Sequence, residues 1–306
     1  AMASNPGYNP NDLMGDSAED VWASLQEQEG QPLVNHAGAE TLPPGSIFKI
    51  ITAAAGLNNG FNPSSTLTGS NVITLPDTVT ELTNYANQKC NGQDAVTLQT
   101  AFALSCNTAF VEMSEQLGAD ELRKYAKAFG VGENYDLGVS TSAGTLGDLP
   151  DGAATAQSAI GQRDVTMTAL QAAVMAGTVA NKGTRMQPYL VNRITDAQMK
   201  DIRTTKPKKA DQAVNEETAA TLTDLMYASE RSSAGYDGNG FASKTGTAEH
   251  GEGLAPHVWY VAFDPERDIA VGVVVKNGGN LGESATGGKV SGPIGRAILR
   301  AYQGEQ

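Results

Sequence analysis

Three strand candidates follow one another closely in the last third of the chain: Gly240 to Glu249, Val258 to Asp264 and Ile269 to Lys276. The stretch from Ala95 to Gly183 has a different character. Gly118 and Gly130 follow apolar periodic segments as residues just past a helix end do. Asp120 and Asp164 stand where the next helices would start, and Val165 to Ala180 is an Ala- and Met-rich buried helix. Strands gathered at one end with a helical block in the middle predict an α/β (α+β) fold, an antiparallel sheet flanked by helices with an all-helical lobe inserted. For 306 residues we expect one domain, with the helical lobe at about 58–183 and the sheet lobe at about 1–57 and 184–306.

The remaining segments are less informative. Residues 17–29 are acidic and amphipathic, a short surface helix, and Asn58 to about Asp94 is polar and turn-rich with no regular core structure expected. Gln187 to Ile194 reads as a strand, Glu216 to Ser229 as an amphipathic helix, and Gly292 to Tyr302 as the closing helix. Between them, residues 196–213 form a charged surface excursion that carries Lys206, Lys208 and Lys209.

With 34 acidic and 21 basic residues the net charge is −13, which argues against nucleic acid or an anionic membrane face as the main partner. No apolar run approaches the roughly 18 residues of a membrane span. No charged-then-apolar leader opens the sequence, so an export signal, if there is one, lies outside it. Two cysteines, Cys90 and Cys106, permit one bridge at most.

Candidate chemistry begins at Pro43-Pro44-Gly45, which forbids helix up to residue 45. Ser46 then reads as an N-cap, and Ile47, Phe48, Ile50 and Ile51 mark a buried helix behind it. A capping box would place Glu or Gln three residues after the cap, where this chain has Lys49. Burial and the positive end of the helix dipole both lower the pKa of a lysine there. The pair is a candidate nucleophile beside a candidate base, with a plain cap and a snorkelling lysine as the alternative. Ser105-Cys106-Asn107 falls between two helices, and Lys244-Thr245-Gly246-Thr247 falls within a strand. Alone, the first could be a cap and turn, and the second a polar edge strand.

Taken together, S-x-x-K, S-x-N and K-T-G in this order resemble the transpeptidase domain of class B penicillin-binding proteins. The likeness extends to the opening Asn5-Pro6-Gly7-Tyr8-Asn9-Pro10, to Ser158-Ala159-Ile160-Gly161-Gln162, and to Ala180-Asn181-Lys182-Gly183. Ser105 to Phe110, Lys244 to His250, and Ser284 to Gly288 are most similar to actinobacterial members. The resemblance implies the fold shared by penicillin-binding proteins and serine β-lactamases. It makes Ser46 the acylated nucleophile and Lys49 its base. Ser105 would relay protons between Lys244 and the leaving group, and Asn107 would hold the substrate amide and Lys49. Thr245, Gly246 and Thr247 would bind the substrate carboxylate, with the amides of Ser46 and Thr247 as the oxyanion hole. No cofactor or metal is implied.

The implied activity is D,D-transpeptidation of peptidoglycan stem peptides, with acylation by β-lactam antibiotics. The alternatives are a D,D-carboxypeptidase or serine β-lactamase, and a penicillin-binding sensor without turnover. The resemblance also implies an extracytoplasmic position at the bacterial inner membrane, an anchor and pedestal domain ahead of residue 1, and a separate membrane glycosyltransferase partner. In that setting a Cys90–Cys106 disulfide is expected, against two free thiols. Two features depart from the family pattern. Cys106 fills the middle of S-x-N, where class A β-lactamases carry Asp, and Gln162-Arg163 replaces Gln-Gly. No partner carboxylate for fast deacylation is evident, which favours a long-lived acyl-enzyme. His250 and His257 are not expected to bind metal, and Trp259, Tyr260 and Phe263 are assigned to core packing.

Overall fold

The structure is a computed structural model and describes residues 1–251 and 253–304. Its helices are α1 (Ala18–Glu27), α2 (Lys49–Asn58), α3 (Leu98–Ala103), α4 (Asn107–Ala128), α5 (Gly152–Ala159), α6 (Ala169–Ala180), α7 (Glu216–Ser232) and α8 (Ser291–Gly304). Its strands are β1 (Thr66–Thr68), β2 (Val72–Thr74), β3 (Glu81–Thr83), β4 (Ala95–Thr97), β5 (Thr184–Met186), β6 (Arg193–Thr195), β7 (Asp201–Thr204), β8 (Lys209–Gln212), β9 (Ala242–Ala248), β10 (His257–Asp264) and β11 (Ile269–Val275).

The three late strands form one antiparallel sheet in the order β11-β10-β9. Every residue of central β10 is buried, because both faces of the sheet are covered. Trp259, Val261 and Phe263 point into the main core, while Tyr260 and Ala262 pack with Leu299 of α8. Small residues set both approaches. A Cβ at Gly272 would stand 2.5 Å from the Ala169 carbonyl of α6, and one at Gly295 of α8 would stand 2.3 Å from the Tyr260 ring. The core continues without a break into α2, α3, α4 and α7, so the site described below lies between sheet and helices on one packed foundation.

Several boundaries differ from those predicted by sequence. The helix expected from Val165 begins at Ala169, because Thr166 and Met167 pair with the backbones of Thr145 and Leu42. Thr168 and Gln171 then close a reciprocal capping box, while Asp164 instead faces Arg163. The expected strand from Gln187 is interrupted by Pro188, which has no N–H to donate, so pairing occurs before it in β5 and after it in β6. At Gly118 the backbone leaves the helical region (φ 75°, ψ 171°) and divides α4 into two helical segments, as its place after an apolar periodic run predicts. The turn-rich segment after α2 contains two small ladders, β1 with β4 and β2 with β3, which carry Leu67 and Leu75 into the core. Cys90 and Cys106 are joined by a disulfide with Cα atoms 5.7 Å apart, tying that segment to the start of α4. Closing a loop of this length restrains the unfolded chain by about 3 kcal/mol in the chain-entropy model.

Candidate active site

Ser46 does not cap a helix. It lies inside a single 3-10 turn, Gly45–Phe48, which leads directly into α2 at Lys49. Gly45 begins the turn at φ 53°, in the left-handed region that glycine enters without cost. The Ser46 hydroxyl instead meets Lys49 Nζ at 3.1 Å. Lys49 is fully buried, and its Nζ also lies 2.7 Å from the Ser105 carbonyl, 3.3 Å from Ser105 Oγ and 2.7 Å from Asn107 Oδ1.

Ser105 reaches that position through strained backbone. Its φ of 62° places a non-glycine residue in the left-handed region, where α3 closes and α4 begins. The corner is held by Cys106 N–H donating to the Ala101 carbonyl and by the disulfide at Cys106. Asn107 is fixed from both ends of its amide. Its oxygen accepts from Lys49, and its nitrogen donates to the Thr83 carbonyl of β3 at 3.0 Å.

The electrostatics follow from this arrangement. Burial, reinforced by the nearby charge of Lys244, holds Lys49 well below the ordinary lysine range. All of its hydrogen-bond partners are uncharged, so no carboxylate among them offsets the loss of water. A neutral amine has two N–H donors and one lone pair. In the neutral form, the two shortest contacts, to the Ser105 carbonyl and Asn107, can take both donors, and the lone pair is then free for the Ser46 hydroxyl. Lys244 is also fully buried, on β9, with its pKa lowered to about 7 by burial, and its Nζ donates to the Thr245 carbonyl at 3.1 Å. Each Nζ stands over an aromatic ring, Lys49 over Phe110 at 5.4 Å and Lys244 over Phe102 at 5.7 Å.

Glycines join the pieces backbone to backbone. A Cβ at Gly161 would lie 2.1 Å from the Gly45 carbonyl, and one at Gly45 would lie 2.9 Å from the Thr247 carbonyl. A Cβ at Gly246 would lie 2.7 Å from the Pro44 carbonyl, and one at Gly287 would lie 2.7 Å from the Gly246 carbonyl. The serine turn, the K-T-G strand, the residue after α5 and the loop before α8 therefore touch without intervening side chains. Trp259 adds a further fixing point, donating from Nε1 to the Pro43 carbonyl at 2.8 Å. Thr245 and Thr247 remain half-buried on β9, open to a ligand.

Sequence reasoning placed Ser46, Lys49, Ser105, Asn107, Lys244, Thr245, Gly246 and Thr247, and the structure gathers them around one serine turn. It did not find Trp259 as a strut or Phe102 and Phe110 beneath the lysines. Those roles depend on tertiary placement, and the only local signal was burial. Arg163, which stands where the family pattern has Gly, turns to the surface and donates to the Asp148 carbonyl at 2.5 Å. His250 and His257 stack with centroids 3.9 Å apart, and their nitrogens meet the Ala255 carbonyl and the Asn277 amide.

The chain belongs to the penicillin-binding protein transpeptidase family, whose domain model matches residues 1–300. It is 44% identical to the peptidoglycan D,D-transpeptidase PbpA of Mycolicibacterium smegmatis, over 98% of this chain and 64% of that protein. It is 41% identical to PbpA of Mycobacterium tuberculosis H37Rv, over 100% of this chain and 65% of that protein. The chain thus spans a little under two thirds of these relatives. Penicillin-binding protein A from M. tuberculosis, solved as its penicillin G acyl-enzyme, superposes with a TM-score of 0.93 at 40% identity, covering 99% of this chain and 71% of that one.

Proposed function

We propose that this chain is a peptidoglycan D,D-transpeptidase whose nucleophile is Ser46. The observation that carries this reading is the buried, uncharged hydrogen-bond shell that leaves a depressed Lys49 facing the Ser46 hydroxyl at 3.1 Å. Lys49 takes the Ser46 proton as Oγ attacks the penultimate D-Ala carbonyl of a stem peptide. The amides of Ser46 and Thr247 receive the oxyanion, a contribution for which loss of one donor typically costs about 10²–10³ in rate. The C–N bond breaks, and the D-Ala amine leaves with a proton passed through Ser105 and Lys244. An amine of a neighbouring stem then attacks the ester and passes its proton through Ser105 to Lys244, and as the C–O bond breaks Lys49 returns its proton to Ser46 Oγ. Thr245, Gly246 and Thr247 seat the terminal carboxylate under the field of Lys244. A β-lactam enters as a mimic of the same D-Ala-D-Ala end. The relatives' name, peptidoglycan D,D-transpeptidase, supports the acyl-transfer step; a membrane anchor at the extracytoplasmic face and a separate glycosyltransferase partner complete this reading.

Intact mass spectrometry with penicillin G provides the test. We expect one adduct per chain, retained over hours, none on Ser46→Ala, and release of D-Ala from a D-Ala-D-Ala stem peptide supplied with an acceptor amine. Loss of the adduct within minutes would instead indicate a β-lactamase, and adduct on Ser46→Ala would refute the nucleophile.

The two lysines also set a pH profile. Lys49 works as a base only when neutral, so acylation rises with pH through its depressed pKa. Lys244 attracts a carboxylate only when protonated, so acylation falls as pH passes about 7. A bell-shaped dependence of the penicillin G acylation rate between about pH 5 and 10 is expected. Lys244→Ala should lower the rate throughout and flatten the alkaline limb.

A further inference from the structure

Behind the K-T-G strand, on the face away from Ser46, lies a buried carboxylate that the acyl-transfer chemistry does not use. Glu230, near the end of α7, is 1% exposed, and its hydrogen bonds fill both oxygens. Oε1 accepts from Arg296 Nε of α8 at 2.7 Å and from Asn239 Nδ2 at 2.9 Å. Oε2 accepts from Tyr260 OH of β10 at 3.0 Å and from Ser243 Oγ of β9. Burial pushes its pKa up, but the hydrogen bonds from Arg296, Ser243 and Asn239 outweigh it, and the group stays below the ordinary carboxylate range. Arg296 is itself satisfied, donating also to the Ala234 carbonyl at 3.0 Å and to Ser233 Oγ at 3.1 Å.

A buried ion pair is weak evidence for stability, because packed apolar residues of the same volume often do as well. Its connections are more informative. Ser243 directly precedes Lys244, and Tyr260 is the ladder partner of Thr245. One oxygen of Glu230 therefore binds β9 directly at the residue before Lys244 and binds β10 at the ladder partner of the residue after it. Among the described residues β9 is the edge of its sheet, with a ladder neighbour on one side only, so it needs such a hold. Its other edge meets the serine turn, where the Gly246 and Gly45 contacts leave no slack.

We propose that Glu230 is a positioning residue whose carboxylate, through Ser243 and Tyr260, holds β9 where Lys244, Thr245 and Thr247 meet the substrate; this role rests on the acyl-transfer reading of Ser46. Ser243→Ala and Tyr260→Phe each cut one tether and leave the Glu230–Arg296 pair intact. Saturation kinetics of penicillin G labelling separate the noncovalent Kd from the acylation rate constant. Because β9 carries both the groups that seat the carboxylate and the Thr247 amide that receives the oxyanion, we expect full labelling at saturation, with Kd raised several-fold and the rate constant lowered about 10- to 100-fold. Either variant acylating at the unaltered rate constant, even with a lower Tm or a smaller labelled fraction, would overturn the tether. Absence of adduct on the unaltered chain would overturn both the tether and the Ser46 reading, so the two failures are told apart by one control.

Discussion

Lys49→Met is expected to slow penicillin G acylation of Ser46 by about 10²–10⁴-fold, the range typical for removal of a positioned general base. Methionine has a similar unbranched length and fills the same buried channel, so packing changes little. Two opposing effects act on the fold. Removing an amine that has been stripped of water relieves a desolvation cost, whereas the Ser105 carbonyl and Asn107 Oδ1 each lose a donor 2.7 Å away. A buried acceptor left without a partner costs about 1–3 kcal/mol, and the apolar replacement offsets part of that. The variant should therefore remain folded, with Tm within several degrees, while labelling by intact mass becomes slow. Acylation at the unaltered rate would show that another group takes the Ser46 proton.

Gly161→Ala should lose both stability and acylation, and Gly92→Ala isolates the cause. Both glycines lie in the left-handed region, at φ 74° and 70°, so each alanine meets the same backbone penalty of about 1–2 kcal/mol. Around Gly92 a new methyl group finds open space. At Gly161 it would stand 2.1 Å from the Gly45 carbonyl and 2.8 Å from Phe48 Cβ, so the turn carrying Ser46 must shift. Overpacking of this kind typically costs a further 1–3 kcal/mol or so. Urea unfolding should therefore rank Gly161→Ala well below Gly92→Ala, and only the former should label slowly with penicillin G. Equal behaviour of the two variants would mean that the contact between Gly161 and Gly45 does not hold the serine turn.

How much of this was legible in the sequence depended on how local each signal was. The sheet was readable because three apolar strands with short connections have few other ways to pair. The motifs were readable because their chemistry lies in side-chain type: Ser46 and Lys49 sit one turn apart, and Ser105 and Asn107 flank one corner. The start of α6 was misplaced because Asp164 carries a stronger local capping signal than its tertiary context allows. Long-range pairing of Thr166 and Met167 delays the helix to Ala169, capped by Thr168. Ser46 looked like a cap for a similar reason, since only the folded chain shows its hydroxyl turned to Lys49. Contacts at Gly161, Gly246 and Gly287 left no trace beyond a glycine in each place, because a close approach is a property of two segments at once. Glu230 and Arg296 lie 66 residues apart, and nothing in either neighbourhood marks them as partners.

The disulfide falls within the motif that holds Lys49. Cys106 stands between Ser105, whose carbonyl accepts from the amine, and Asn107, whose amide oxygen does the same. Ser105 is held in a backbone conformation that a free corner would relax, and Cys90 anchors that corner to the segment from which Thr83 receives the Asn107 amide nitrogen. The redox state of two thiols thus reaches the shape of the corner that holds Lys49, and a chain kept in a reducing compartment would carry the same residues without that restraint.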